Sequence, residues 1–209
     1  MKKITLISLI SMVLIIILIA GCSKKVWHDP VMQLDKLEPI GLINFTSNAE
    51  GGIEKMATEK VVQYMRRDQT SIRILELGDM EDVLDAVDEE ELNFEAVKKI
   101  EDKYNCRTVM TGDLYVSDVK PNLDLSFSFP YVAASADVKM TLKVKLYETR
   151  TGASVWSSSA WKKQELGQIK IFKNNIRFNA DNPEDAYGGI IRDIAWHVTR
   201  DFRYTYTYE

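Results

Sequence analysis

The chain has 209 residues, with 27 Lys and Arg against 31 Asp and Glu, a formal charge of −4 and a sequence pI near 5.4. An acidic chain has no electrostatic footprint for nucleic acid and is not a polybasic lipid binder. Two cysteines and two histidines give no disulfide framework and little material for a metal cage.

Lys2 and Lys3 precede a run from Ile4 to Ala20 made only of apolar residues, Ser and Thr, and then come Gly21 and Cys22. A basic start, an apolar middle and small residues before a cut site describe a secretory signal. The run is 17 residues long. That is near the lower limit for crossing a hydrocarbon core of about 30 Å, so a retained transmembrane helix is the competing reading. Ile19-Ala20-Gly21-Cys22 resembles the lipobox of bacterial lipoprotein signals, where an aliphatic and two small residues precede the lipidated cysteine. The polar Ser23-Lys24-Lys25 directly after it favours the lipoprotein. This divides the chain into a signal at 1–21, a lipidated tether at 22–36 and a globular domain at 37–209. Loss of Lys2 and Lys3 leaves the mature part more acidic still. Membrane attachment then falls to the acyl chains on Cys22, and a diacylglycerol with an amide-linked chain exceeds the two signals that stable anchoring needs. Cys106 is left without a disulfide partner and is expected to be a small buried residue.

Within the tether, Trp27, His28 and Pro30 show no periodicity; Trp27 is expected either to pack back on the domain or to be exposed. Pro39-Ile40-Gly41-Leu42-Ile43-Asn44-Phe45 reads as a buried strand. Gly51-Gly52 opens a helix whose face is Ile53, Met56, Ala57, Val61, Tyr64 and Met65. Ile72, Ile74, Leu75 and Leu77 form a second strand ending at Gly78. From Asp79 to Glu91 eight acidic residues surround Met80, Val83, Leu84 and Val87 at helical spacing. The alternating oxygen ligands and central Gly of a calcium loop are missing, so this is a solvated helix face. Phe94, Val97, Ile100 and Tyr104 mark another short helix. Thr108 to Val116 is a third strand, with Gly112 marking a bulge or a close backbone approach.

Leu123 to Phe129 alternates as a strand ending at Pro130, and Val138 to Leu146 alternates with Lys139, Thr141, Lys143 and Lys145. Thr149-Arg150-Thr151-Gly152 turns that strand into Ser154 to Leu166, an antiparallel hairpin. Ile169 to Phe178 is either another strand or a loop with apolar anchors. Asn182-Pro183-Glu184 starts the last helix. Its buried stripe is Tyr187, Ile190, Ile191, Ile194, Val198 and Phe202. Trp196 falls on the opposite face with Arg192 and Arg200 beside it. That is the composition of an interface hot spot, although contact with a neighbouring loop explains Trp196 equally well. Tyr204-Thr205-Tyr206-Thr207-Tyr208 alternates like a terminal strand. The fold class is α/β (α+β): a three-layer-like mixed sheet, β-α-β-α-α-β, followed by antiparallel strands and a closing helix.

In this order the domain is similar to the CsgG-like family of curli-secretion channel lipoproteins and, more distantly, to LpoB and TolB amino-terminal domains. The likeness is carried by IGLINF before a Gly-rich turn, YNCRTVMTGDL, VKLYETRTGASVWSS and NPEDAYGGIIRDIAWHV, and it runs from about Pro39 to Phe202. The resemblance implies a homo-oligomeric ring. It also implies two membrane-inserting hairpins, here at about 120–136 and 163–179, although a membrane strand needs about 9–11 alternating residues. Leu123 to Phe129 supplies seven, and Lys170 and Lys173-Asn174-Asn175 break the second segment.

No Gly-rich phosphate loop, metal-ligand spacing, Gly-x-Ser-x-Gly or nucleophile beside a base is present, so no enzyme, cofactor or metal is expected. The reading is a membrane-anchored, non-enzymatic component of envelope assembly or secretion. The alternative is a tethered periplasmic scaffold or binding module that holds an envelope partner without forming a pore. Ser23 in place of an Asp after the lipidated Cys22 points to the outer membrane.

Overall fold

The computed structural model describes residues 24–49, 51–117, 120–122, 134–169 and 183–209. They fall into two units: one holds the described residues up to Pro30 together with Tyr204–Glu209, and the other is Val31–Arg203. The first unit is a two-stranded antiparallel ribbon of β1 (Lys25–His28) and β9 (Thr205–Tyr208). Lys25–His28, within the segment read as an ordered or semi-ordered arm, forms a strand, and the alternating tail is its partner.

The second unit contains, in order, β2 (Ile40–Ile43), β3 (Thr46–Ser47), α1 (Ile53–Asp68), β4 (Ile74–Gly78), α2 (Met80–Ala86) and α3 (Phe94–Tyr104). It continues with β5 (Thr108–Val116), β6 (Lys120–Asn122), β7 (Ala134–Glu148), β8 (Ser154–Ile169) and α4 (Pro183–Val198). The α/β class and the β-α-β-α-α-β order are those read from the sequence. Among the described residues seven strands form one mixed sheet in the order β4-β2-β5-β7-β6, with β3 on β5 and β8 on the far edge of β7. β4, β2 and β5 run parallel and are connected through helices. From β5 onward the pairing is antiparallel, and a short turn at 149–153 joins β7 to β8.

Neighbouring residues on the central strands serve opposite cores. Leu42 and Met110 pack with α1 and α4, whereas Ile43 and Val109 pack with Val83, Val87 and Ile100 of the α2–α3 layer. A strand covered on both faces must be apolar in succession, which is why IGLI and TVM read as continuous runs. β7 has one covered face in its described middle. Val138, Met140, Leu142, Val144 and Leu146 are fully buried, and Lys139, Lys143 and Lys145 are exposed.

Local chemistry fixes the element ends. Asn93 Oδ1 accepts from the Ala96 N–H to cap α3, and Asn105 ends that helix in the left-handed region at φ 52°. Thr58 Oγ1 accepts from the Phe45 N–H and donates to the Glu54 carbonyl, tying the segment after β2 to α1. Gln69 accepts from the Leu34 N–H and donates to the Met32 and Phe202 carbonyls, joining the entry and exit of this unit.

Some expectations resolve differently or more narrowly. The β5–β7 register runs unbroken through Gly112, so the glycine marks a close approach and not a bulge. A Cβ there would lie 2.8 Å from the Lys143 carbonyl oxygen and 3.1 Å from the Phe45 ring. α2 ends at Ala86, and Asp88 at φ 57° turns the chain, leaving the rest of the acidic run outside the helix. Phe202 is buried as expected but sits in a 3-10 turn at Arg200–Phe202, because the α-helix stops at Val198.

The strand expected at Leu123 to Phe129 lies outside the described residues, as do Lys170 to Phe178 and Asn182. Their roots are described. Asn122 pairs with Ser135, and Ala134 with Ile169, so both undescribed stretches adjoin the same end of the sheet. Among the described residues no helix is long and apolar enough to cross a membrane, which says nothing of crossing by strands.

Candidate membrane anchor and contact surfaces

Cys22 lies outside the described residues, three positions before β1. The ribbon register pairs Lys25 with Tyr208 and Trp27 with Tyr206, which sets these four side chains on one face. Trp27 meets Tyr206 edge-on at 5.3 Å between centroids, and Tyr206 meets Tyr208 at 5.5 Å. The Lys25 ammonium lies 4.2 Å from the Trp27 centroid and 3.8 Å from that of Tyr206. On the other face His28 Nε2 and Thr207 Oγ1 are 3.0 Å apart.

Trp196 is half-buried on α4. Its ring meets Tyr64 of α1 edge-on at 5.2 Å, and the Arg203 guanidinium stacks 3.2 Å from its centroid. The Arg67 guanidinium stands 4.9 Å away. Arg203 also donates to the Trp196 and Thr199 carbonyls, closing the end of α4. Burial, with Arg67 nearby, pulls the Arg203 pKa below the usual guanidinium range. Arg192 and Arg200 are exposed. Thus the arginines gathered around the ring are Arg203 and Arg67, which helical spacing along α4 alone could not indicate.

A third surface escaped the sequence reading. Tyr115, Thr141 and Trp161 are direct cross-strand partners on β5, β7 and β8. They lie on the face opposite α1 and α4, where Tyr115 is 58% and Trp161 64% exposed. The Lys139 ammonium lies 4.7 Å from the Trp161 centroid, and Lys143 and Lys145 continue the row along β7. Lys163 pairs with Asp137 at 2.7 Å. Lys162 points to the opposite face and pairs with Asp193 of α4. The available signal was two aromatic residues, Tyr115 and Trp161, at outward positions beside Asp113, Lys143, Ser159 and Lys163.

An open cleft of about 860 Å³ lies between the segment after β2, the start of α1 and α2. Its rim includes Asp79, Glu81, Asp85, Glu89 and Lys55. Glu89 also pairs with Lys99 at 2.6 Å, and the hydrogen bond from Lys99 draws the Glu89 pKa down. Among the described residues no group of three His, Cys, Asp or Glu is placed to hold a metal ion. Cys106 is fully buried, and desolvation pushes its thiol up to about 11. A thiol so protonated is no nucleophile at neutral pH.

No protein-family model and no curated protein matches the chain. Solved structures of similar fold include the PelC dodecamer from Paraburkholderia phytofirmans, with TM-score 0.43, 11% identity, and coverage of 87% of this chain and 97% of that one. Lipoprotein GNA1162 from Neisseria meningitidis gives TM-score 0.37 and 13% identity over 60% of this chain and 82% of its own. The LpoB C-terminal domain from Salmonella enterica gives 0.39 and 12% over 64% and 93%. Bacterial lipoproteins are thus among the similar structures, but at these scores neither a function nor a partner carries over from them.

Proposed function

We propose that the chain is a lipid-anchored, non-enzymatic component of cell-envelope assembly or secretion of the CsgG-like kind. The observation that carries this reading is the Ile19-Ala20-Gly21-Cys22 box, which closes an apolar run just ahead of the strand beginning at Lys25. Residues 1–21 are the export signal, and acylated Cys22 holds the domain at the outer membrane on its periplasmic side.

A second reading is a tethered scaffold that engages an envelope partner without forming a pore. The exposed Tyr115–Thr141–Trp161 row with its lysines favours it, since aromatic residues on an open sheet face suit a protein contact. Trp196, with Arg192 and Arg200 exposed nearby, is the second proposed contact.

The mass of the detergent-solubilised, acylated protein separates the readings: a ring supports the first, and a monomer removes it and leaves the scaffold. Cys22→Ser is expected to block processing and to release the domain from membranes. Firm retention of that variant would overturn the anchor. With the scaffold's partner in hand, Trp196→Ala should weaken capture; unchanged capture removes Trp196 from the contact.

A further inference from the structure

Among the described residues, the ribbon gathers three exposed amphipathic rings on one face without aliphatic neighbours. Trp27 is 60%, Tyr206 48% and Tyr208 65% exposed, and Lys25 lies among them. Two short strands alone are marginal in water, and a face of three exposed rings gains from being covered. We propose that this face rests in the phospholipid headgroup layer of the membrane that holds Cys22. The proposal rests on reading Cys22 as the acylated residue.

Chain length sets the distance. Three residues from Cys22 to Lys25 span at most about 11 Å when fully extended, and the headgroup layer is itself roughly 5–8 Å deep on each side. An acyl chain on Cys22 therefore holds the first strand at the lipid surface, whatever the rest of the chain does. The chemistry of the face matches that depth. Trp and Tyr combine an apolar ring with a polar tip and collect at membrane–water boundaries, where both ends are satisfied. The face has no Leu, Ile or Phe that would draw it into the hydrocarbon, and the Lys25 ammonium can reach lipid phosphate. The opposite face carries His28, Thr205 and Thr207, which suit water, together with the partly buried Val26 and no Trp or Tyr ring.

The test couples residues 22–209, which contain every described element, through the Cys22 thiol to a maleimide lipid. The vesicles combine phosphatidylcholine and phosphatidylglycerol with acyl chains brominated close to the headgroup. Cys106 is spared because its thiol is buried. Bromine is expected to quench a component of the tryptophan emission that disappears in Trp27→Phe and persists in Trp161→Phe. Equal quenching of the wild type and Trp27→Phe, or none in either, overturns the proposal and leaves the face to a protein partner. Because the coupling is chemical, this outcome does not depend on what cells do to Cys22. The mass of the mature protein from membranes decides that separately: an unmodified Cys22 defeats the anchor reading.

Discussion

The strands β7 and β9 alternate with the same period of two and do opposite things with it. Along β7 the recurring residues are Val138, Met140, Leu142, Val144 and Leu146, and all are fully buried under α1 and α4. Along β9 they are tyrosines, and Tyr206 and Tyr208 are about half and two-thirds exposed. Period alone says that a strand has two faces, not which face, if either, loses water. The side-chain chemistry makes the difference: a branched aliphatic face has no favourable state except burial, whereas Tyr and Trp tolerate a boundary.

The largest effect in this comparison should come from β7. Leu142→Ala removes a fully buried side chain between β5 and β8 and should cost about 2–5 kcal/mol, read from urea or thermal unfolding. A change below about 1 kcal/mol would mean that the face is not closely packed.

The second core cluster offers an intermediate effect through pH. The Cys106 thiol is raised by burial from 9.0 to about 11, so the folded state keeps a proton that the unfolded state has released. A raised folded value gives stability that is complete below about pH 9 and is lost as pH climbs toward 11. Each pH unit in that window costs up to about 1.4 kcal/mol. The contribution appears as the difference between the alkaline unfolding profiles of the wild type and Cys106→Ala. In Cys22→Ser, a thiol reagent near pH 8 should leave Cys106 unmodified until denaturant is added.

The smallest effect belongs to the ribbon. Tyr206→Thr keeps a β-forming residue and removes ring contacts with Trp27 and Tyr208, each worth about 0.5–1.5 kcal/mol at most in a buried setting. In water the unfolding midpoint of the main unit should hardly move, and amide exchange at Trp27 should quicken. A loss as large as that of Leu142→Ala would place Tyr206 with the core residues and erase the contrast.

Much of the main unit was legible because its signals are local. The β5 limits, the α3 helix, the Thr-Gly turn before β8 and the stripe Tyr187, Ile190, Ile191, Ile194 follow from spacing and turn chemistry. The candidate surfaces were less legible. Trp196 stood out on α4, but its contacts come from Tyr64 and Arg67 on α1 and from Arg203 beyond the helix. Those residues are brought together by helix packing, to which a pattern along one segment is blind.

The sequence by itself determined the apolar run with its Gly21-Cys22 end, the acidic charge balance, and where the main helices and strands lie. These depend on residue type and short-range periodicity, which need no partner. Only the tertiary structure decided that Lys25–His28 pairs with Thr205–Tyr208, since β-pairing over such a separation leaves no local signal. It also decided that Gly112 marks a close contact, because that follows from where the Lys143 carbonyl and the Phe45 ring come to rest. The row Tyr115, Thr141 and Trp161 was settled in the same way, by a register spanning three strands.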